Sequence, residues 1–162
     1  MNRIHPMLRN ALIPTAALLF AAISAGEARA QPYKPVGFEV LGAFEMEIPD
    51  PLDPKPIKID IPPSIQALDG KRISVKGFIL PLDLDTKGVS RFMLNASLDM
   101  CYFGAPVRYN DWVMVTMKGG KKAKFTHLPT QVSGLFSVGK EMKNGRVVSI
   151  YRLLADEAVT VK

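Results

Sequence analysis

The stretch Lys71 to Leu82 is the longest run of strand-like sequence in the chain, and Gly77 sits inside it. Before the glycine, Ile73 and Val75 alternate with Arg72, Ser74 and Lys76, the period of two of a half-buried strand. After it, Phe78, Ile79 and Leu80 run without a polar break. A glycine at the point where alternation is lost predicts a bulge or sharp bend, so that one strand serves two packed layers. Small barrels close in this way.

The sequence after that strand supplies partners for it. Pro81 to Ser90 reads as a polar loop and Arg91 to Leu94 as the start of a second strand. Asp111 to Met117, apolar on both faces, is the third. Lys118-Gly119-Gly120-Lys121 predicts a hairpin turn, with Ala123 to Thr126 as the returning strand. Thr130 to Val138 is a fourth major strand, with Gly134 inside it. Asn144-Gly145 is a two-residue hairpin signal leading into Val147 to Leu153. Asp156 to Ala158 reads as a turn and Val159 to Val161 as a last edge strand. No helix longer than two turns and no internal repeat is expected. The fold class is all-β: a small antiparallel OB-like barrel of five or six strands over residues 64–162, preferred to an SH3-like barrel or an open sandwich.

An arm of different character precedes it. Residues 31–63 carry eight of the 13 prolines, and proline removes backbone donors, which keeps most of this segment out of a sheet interior. Phe44, Met46 and Ile48 alternate with Glu45 and Glu47, predicting a short half-buried strand. The Pro-rich arm is expected to be extended and to dock through Phe38 to Ile48; a loose linker is the competing reading.

Residues 1–30 read as a signal peptide. Arg3 and Arg9 give a positive start, Ala11 to Ala25 an apolar core, and Ala28-Arg29-Ala30 the small residues that a signal peptidase requires. Cleavage after Ala30 would leave a soluble chain in the periplasm; an uncleaved anchor is the alternative, although the apolar run is short for a span. The mature chain would hold 18 Lys and Arg against 14 Asp and Glu, or +4. That charge is too mild for a nucleic-acid partner. With one cysteine, Cys101, there is no intramolecular disulfide, and the fold must rest on its apolar core.

Candidate chemistry concentrates between Met100 and Met117. Cys101 could act as a nucleophile with His127, the one histidine outside the leader, or as a metal ligand; an inert buried thiol is the plain alternative. A metal site would draw on Cys101 and His127, with Met100, Met114 and Met117 as soft ligands, and would hold zinc or copper. No Cys-x-x-Cys or His-x-x-x-His spacing pre-arranges such ligands. Asp83, Asp85 and Gly88 resemble a calcium loop superficially, but Lys87 and Leu94 occupy ligand positions, so a solvated turn is expected. Cys101, Tyr102, Phe103, Tyr109 and Trp112 form a candidate contact loop, its aromatics part stacking platform and part core. Lys118, Lys121, Lys122 and Lys124 form a basic tip that suits an acidic partner or lipid headgroups, or simply keeps an exposed hairpin soluble.

The segment Ala67-Leu68-Asp69-Gly70-Lys71-Arg72-Ile73-Ser74-Val75-Lys76-Gly77-Phe78-Ile79-Leu80-Pro81-Leu82 resembles the opening of an exported bacterial family of unknown function. Cys101-Tyr102-Phe103-Gly104-Ala105-Pro106, the Asn110-x-Trp112 strand start and the Gly134 to Tyr151 hairpin are similar to it as well, so the resemblance spans residues 64–155. It implies a periplasmic, small-barrel protein with no established activity, some of whose relatives are encoded beside ATP-driven transporters, zinc-uptake systems included. Many members carry a second cysteine or a histidine beside the first; Met100 and Tyr102 stand there in this chain.

Together these features predict a periplasmic, non-enzymatic accessory or adaptor protein of an envelope process such as transport. Its partner would be an envelope protein, for instance a component of an ATP-driven transporter. Membrane contact would be peripheral at most, with no nucleic acid and no resident cofactor. The alternatives are a zinc- or copper-binding protein using Cys101 and His127, and a thiol-dependent enzyme.

Overall fold

The strand Arg72–Pro81 (β2) carries the sheet, and it changes partner at the glycine. Arg72 to Gly77 pair antiparallel with Leu135 to Thr130 of β7 (Thr130–Lys143), whereas Phe78 to Pro81 pair with Asn95 to Phe92 of β5 (Arg91–Asn95). A Cβ on Gly77 would lie 2.6 Å from the Asn95 carbonyl oxygen and 3.0 Å from side-chain atoms of Leu94 and Phe38, so nothing larger fits at the changeover. The strand changes partner at the predicted glycine, without a bulge and within one sheet, and Ile73, Val75 and Ile79 are all buried on the same alternation. In this computed structural model the described residues are 32–47, 58–98 and 108–161, and they fall in one compact unit, Gln31–Lys162.

The protein is mostly β, and its main sheet is mixed. With β1 (Lys34–Pro35), β6 (Trp112–Met117) and β8 (Arg146–Thr160), the strand order is β1-β2-β5-β6-β8-β7, and β7 pairs back onto β2. The β6–β8 pair is parallel, Met114 opposite Arg152 through Met117 opposite Ala155, which corrects the expectation of a wholly antiparallel sheet. The cause lies after β6. Gly119 and Gly120 take φ of 66° and 72°, left-handed conformations natural to glycine, in a tight turn after Met117. The chain leaves β6 there without forming a hairpin. The expected returning strand reduces to one residue, Ala123, which exchanges backbone hydrogen bonds of 3.0 and 2.8 Å with Val89. The chain then enters β7 and turns back at Asn144-Gly145 (φ 51° and 76°), the predicted hairpin, so that β8 runs beside β6 in the same direction.

Two further differences follow from local chemistry. β8 is continuous, with no turn at Asp156 to Ala158: Gly134 faces Ala155 and Ser133 faces Glu157, leaving Asp156 as the extra residue of a bulge. In the polar segment after β2, the ladder of β3 (Leu84–Asp85) and β4 (Gly88–Val89) forms a small second sheet.

Inward residues of every large strand meet in one core: Ile73 and Val75, Phe92 and Leu94, Val113 and Val115, Val132 and Phe136, Tyr151, Leu153 and Ala155. The Pro-rich arm contributes to it through buried Val36, Leu41, Ile59 and Ile61, with Phe38, Phe44 and Met46 packed against it. The arm is therefore docked, in a different conformation from the one expected. Phe38–Leu41 is a single helical turn (α1), and residues 44–47 form no strand; Ile48 lies outside the described residues. Polar contacts fix this docking: the buried Tyr151 hydroxyl donates to the Leu41 carbonyl at 2.9 Å, and Asn110 Nδ2 to the Phe44 carbonyl at 2.8 Å. Burial pushes the Tyr151 phenol well above its ordinary pKa, so it stays protonated as the donor. Val36 donates to the Ser74 carbonyl at 2.9 Å, which continues the parallel β1–β2 pairing. Pro63–Gln66 is a second helical turn (α2), with proline at its start.

Candidate functional site

The outer face of the sheet carries one cross-strand row. Arg91 faces Thr116, Thr116 faces Leu154, Leu154 faces Leu135, and Leu135 faces Arg72, each on the strand next to the last. Their chain neighbours Phe92, Val115, Leu153, Phe136 and Ile73 are fully or almost fully buried, so alternation turns the row outward. Leu135 and Leu154 are both 43% exposed, directly opposite one another between polar residues. The opposed leucines form a small apolar patch with polar neighbours along the row.

Beside this row the Asp156 bulge gathers cations. Its carboxylate accepts the Tyr33 hydroxyl at 2.9 Å and lies 3.4 Å from Lys118 Nζ and 3.4 Å from Arg72 Nη2. Arg72 Nη2 donates to the Tyr33 hydroxyl oxygen at 2.6 Å, and its guanidinium lies 4.5 Å from the centroid of the tyrosine ring. Lys121 Nζ donates to the Asp156 carbonyl at 2.9 Å. The Tyr33 hydrogen bond, helped by Lys118, holds the Asp156 carboxyl below the usual carboxylate range. Desolvation and the neighbouring carboxylate push the Tyr33 phenol up. Lys122 pairs with Asp85, whose carboxyl is held down chiefly by that contact and by the Lys87 amide. Three of the four lysines of the basic segment are thus tethered to acidic residues or a carbonyl. Lys124 is exposed and has no such partner among the described residues.

The aromatic loop is placed differently from the expectation. Trp112 is 6% exposed, and Tyr109, half-buried, donates its hydroxyl to the Val147 carbonyl at 2.8 Å. Their rings pack at 6.2 Å with a 53° tilt. These two residues tie the start of β6 to β8 and do not present an open stacking platform, because Trp112 opens a strand whose residues are mostly buried. Cys101, Tyr102 and Phe103 lie outside the described residues. His127 is exposed, its ring edge-on to Phe125 at 5.4 Å. Among the described residues no group of three His, Cys, Asp or Glu side chains is placed to hold a metal, and the relation of His127 to Cys101 falls outside them.

Asp83, expected as a solvated turn residue, organises the β3–β4 segment. Its carboxylate accepts the Ser90 amide at 2.9 Å, the Ser90 hydroxyl at 2.6 Å and the Arg91 amide at 2.7 Å. These donors, the Ser90 hydroxyl first, pull its pKa down to about 2. Sequence reasoning missed this cap, the Asp156 hub and the opposed leucines. One signal was present: Leu153-Leu154-Ala155-Asp156-Glu157 breaks strict alternation, as a bulge does as readily as a turn.

No curated protein matches the chain. Among solved structures it is similar to a DUF3299 family protein from Pseudomonas aeruginosa PAO1 at 19% identity, with a TM-score of 0.55, covering 82% of this chain and 98% of that one. This likeness concerns the fold. Residues 54–160 match the family described as "Protein of unknown function (DUF3299)", a span that takes in every strand from β2 to β8, and the chain belongs to that family.

Proposed function

We propose that this protein is an exported, non-enzymatic OB-like barrel that serves as an accessory or adaptor in an envelope process such as transport. The barrel reading is supported by the pairing cycle β2-β5-β6-β8-β7, in which β7 returns to β2. Five strands in such a cycle suit an OB-like fold, and a parallel pair within it is compatible with closure. Export is supported by the charged start, apolar core and Ala28-Arg29-Ala30 ending of the leader.

The adaptor reading rests on one observation: Leu135 and Leu154, opposed across β7 and β8 and both 43% exposed, stand in a row that runs from Arg91 to Arg72. An apolar centre flanked by two arginines, each ion-paired to an aspartate (Arg72 to Asp156 at 3.4 Å, Arg91 to Asp83 at 3.6 Å), suits an envelope protein presenting an apolar face with a mixed polar rim, such as a component of an ATP-driven transporter. The test is crosslinking in cells from residue 116 or 137, compared between wild type and Leu135→Glu/Leu154→Glu. A partner band lost in the double variant, with the melting curve retained, supports the surface. Full complementation of a deletion strain by the double variant would sink it. Native mass spectrometry of the same periplasmic protein distinguishes an adaptor from a zinc or copper carrier, because a metal adduct dependent on Cys101 or His127 would favour the latter.

A further inference from the structure

A second feature lies at a bulge within β7 and is independent of the adaptor surface. Val138 pairs with Tyr151 and Glu141 with Ser149, which leaves Gly139 and Lys140 opposite the single residue Ile150. Gly139 takes φ of 139°, a conformation side chains rarely adopt, and no atom lies within 4 Å of where its Cβ would stand. The open space there is a cleft of about 380 Å³ between the bulge and residues 59–61, within the size range of small-ligand sites.

The walls of the cleft are fixed from behind. Ile59 and Ile61 send their side chains into the core, so the intervening Asp60 is exposed. Gln66 Nε2 donates to the Ile61 carbonyl at 2.6 Å, holding this wall against α2. On the opposite wall, the Val138 amide donates to Asp69 Oδ1 at 2.8 Å, and Arg152 Nη1 donates to the Gly139 carbonyl at 2.9 Å. Side chains committed to holding both walls in place give a pre-organised cleft, which lowers the cost of binding.

Two of its charged groups, Asp60 and Lys140, are not committed. Asp83, Asp85, Asp111 and Asp156 all bind cations or amides within the fold. Asp60 and Lys140 line the cleft with no hydrogen bond or ion pair among the described residues, and they do not pair with each other. Asp60 on one wall and Lys140 on the bulge opposite place a carboxylate and an ammonium across the cleft, which matches a ligand carrying both charges.

We propose that this cleft binds a small zwitterion, a free amino acid or unblocked dipeptide, with its ammonium toward Asp60 and its carboxylate toward Lys140. The test is calorimetric titration of residues 31–162 with free amino acids, unblocked dipeptides, and the same dipeptides acetylated and amidated. Binding is expected at a Kd of roughly 10 µM to 1 mM, with blocked ligands about tenfold weaker or worse. Asp60→Asn and Lys140→Met, both exposed and without internal partners, should each weaken binding about tenfold without moving the melting temperature. Leu135→Glu should bind as wild type. Preference for amino acids or for dipeptides identifies which source of the two termini the cleft takes. No binding up to about 5 mM, equal binding of blocked ligands, or unchanged affinity in both cleft variants would overturn the proposal.

Discussion

Tyr33 and Asp156, 123 residues apart, are joined by a hydrogen bond of 2.9 Å that fastens the start of the arm to the bulge of the last strand. Arg72 completes the contact by donating to the tyrosine oxygen and lying over its ring. β1 pairs over only two residues, and this side-chain cluster adds a second hold on the same end of the arm.

The pH dependence of that cluster has a definite sign at each end. The Asp156 carboxyl is held below its ordinary value, so its stabilisation is complete above the unfolded carboxylate pKa and fades as pH falls through the folded one. The Tyr33 phenol is pushed up, so its contribution is complete below the unfolded phenol pKa and fades as pH rises through the folded one. Docking of residues 32–36 should thus persist at neutral pH and loosen at both extremes. Tyr33→Phe should cost about 1 kcal/mol in a urea melt, and Asp156→Asn should remove the acid dependence of amide exchange at Val36. Exchange at Val36 that is as slow in Asp156→Asn as in wild type at every pH would refute the role.

Asp83 makes a sharper case. With three donors on one carboxylate and a pKa of about 2, its stabilisation of the β3–β4 segment is present above the unfolded carboxylate pKa. It is lost only as pH falls toward 2. Carbon-detected NMR should find Asp83 titrating near pH 2, well below an ordinary aspartate. Asp83→Ala should speed hydrogen exchange at the Ser90 and Arg91 amides selectively, leaving β7 and β8 protected.

The sequence signals that read correctly were those with a local physical cause. Gly77 marks the changeover because only a hydrogen fits beneath the Asn95 carbonyl, and Asn144-Gly145 marks the hairpin because both residues take positive φ. Gly119-Gly120 shows the limit of the same reasoning. Two glycines signal a turn, but where the chain goes afterwards depends on Ala123 bonding to Val89, a contact made across 34 residues. The parallel β6–β8 pair was illegible for that reason. The fate of Trp112 was hidden similarly: a large aromatic reads the same on a contact surface and in the interior, and only its neighbours decide. The Asp156 hub brings together residues 33, 72, 118, 121 and 156, whose separations follow no motif.

Docking of the arm predicts that it contributes to global stability. Leu41 is fully buried in the same core as Phe136 and Leu153, and its carbonyl receives the Tyr151 hydroxyl. Leu41→Ala should therefore cost about 2–5 kcal/mol, as for any large-to-small change in a packed core. Tyr151→Phe removes the donor and leaves a buried carbonyl unpaired, a loss of about 1–3 kcal/mol. Both are read from chemical melts monitored at Trp112. A loose arm would leave the Leu41→Ala midpoint unchanged.

Gly134 offers the most local test of the outer-face geometry. It precedes Leu135 at the register shift opposite Ala155, and a Cβ there would lie 2.2 Å from the Leu154 carbonyl oxygen. Gly134→Ala must push β8 away from β7 at the point where the two exposed leucines face each other, at a cost of about 1–3 kcal/mol or more. Leu135→Ala, by contrast, removes a side chain that is already half in water and should change stability by only about 0.5 kcal/mol. If the opposed leucines form the contact surface, both variants weaken partner crosslinking, but only Gly134→Ala lowers the melting temperature. A Gly134→Ala protein as stable as wild type would show that the two strands are not held this closely, and the alignment of Leu135 with Leu154 would have to be abandoned with it.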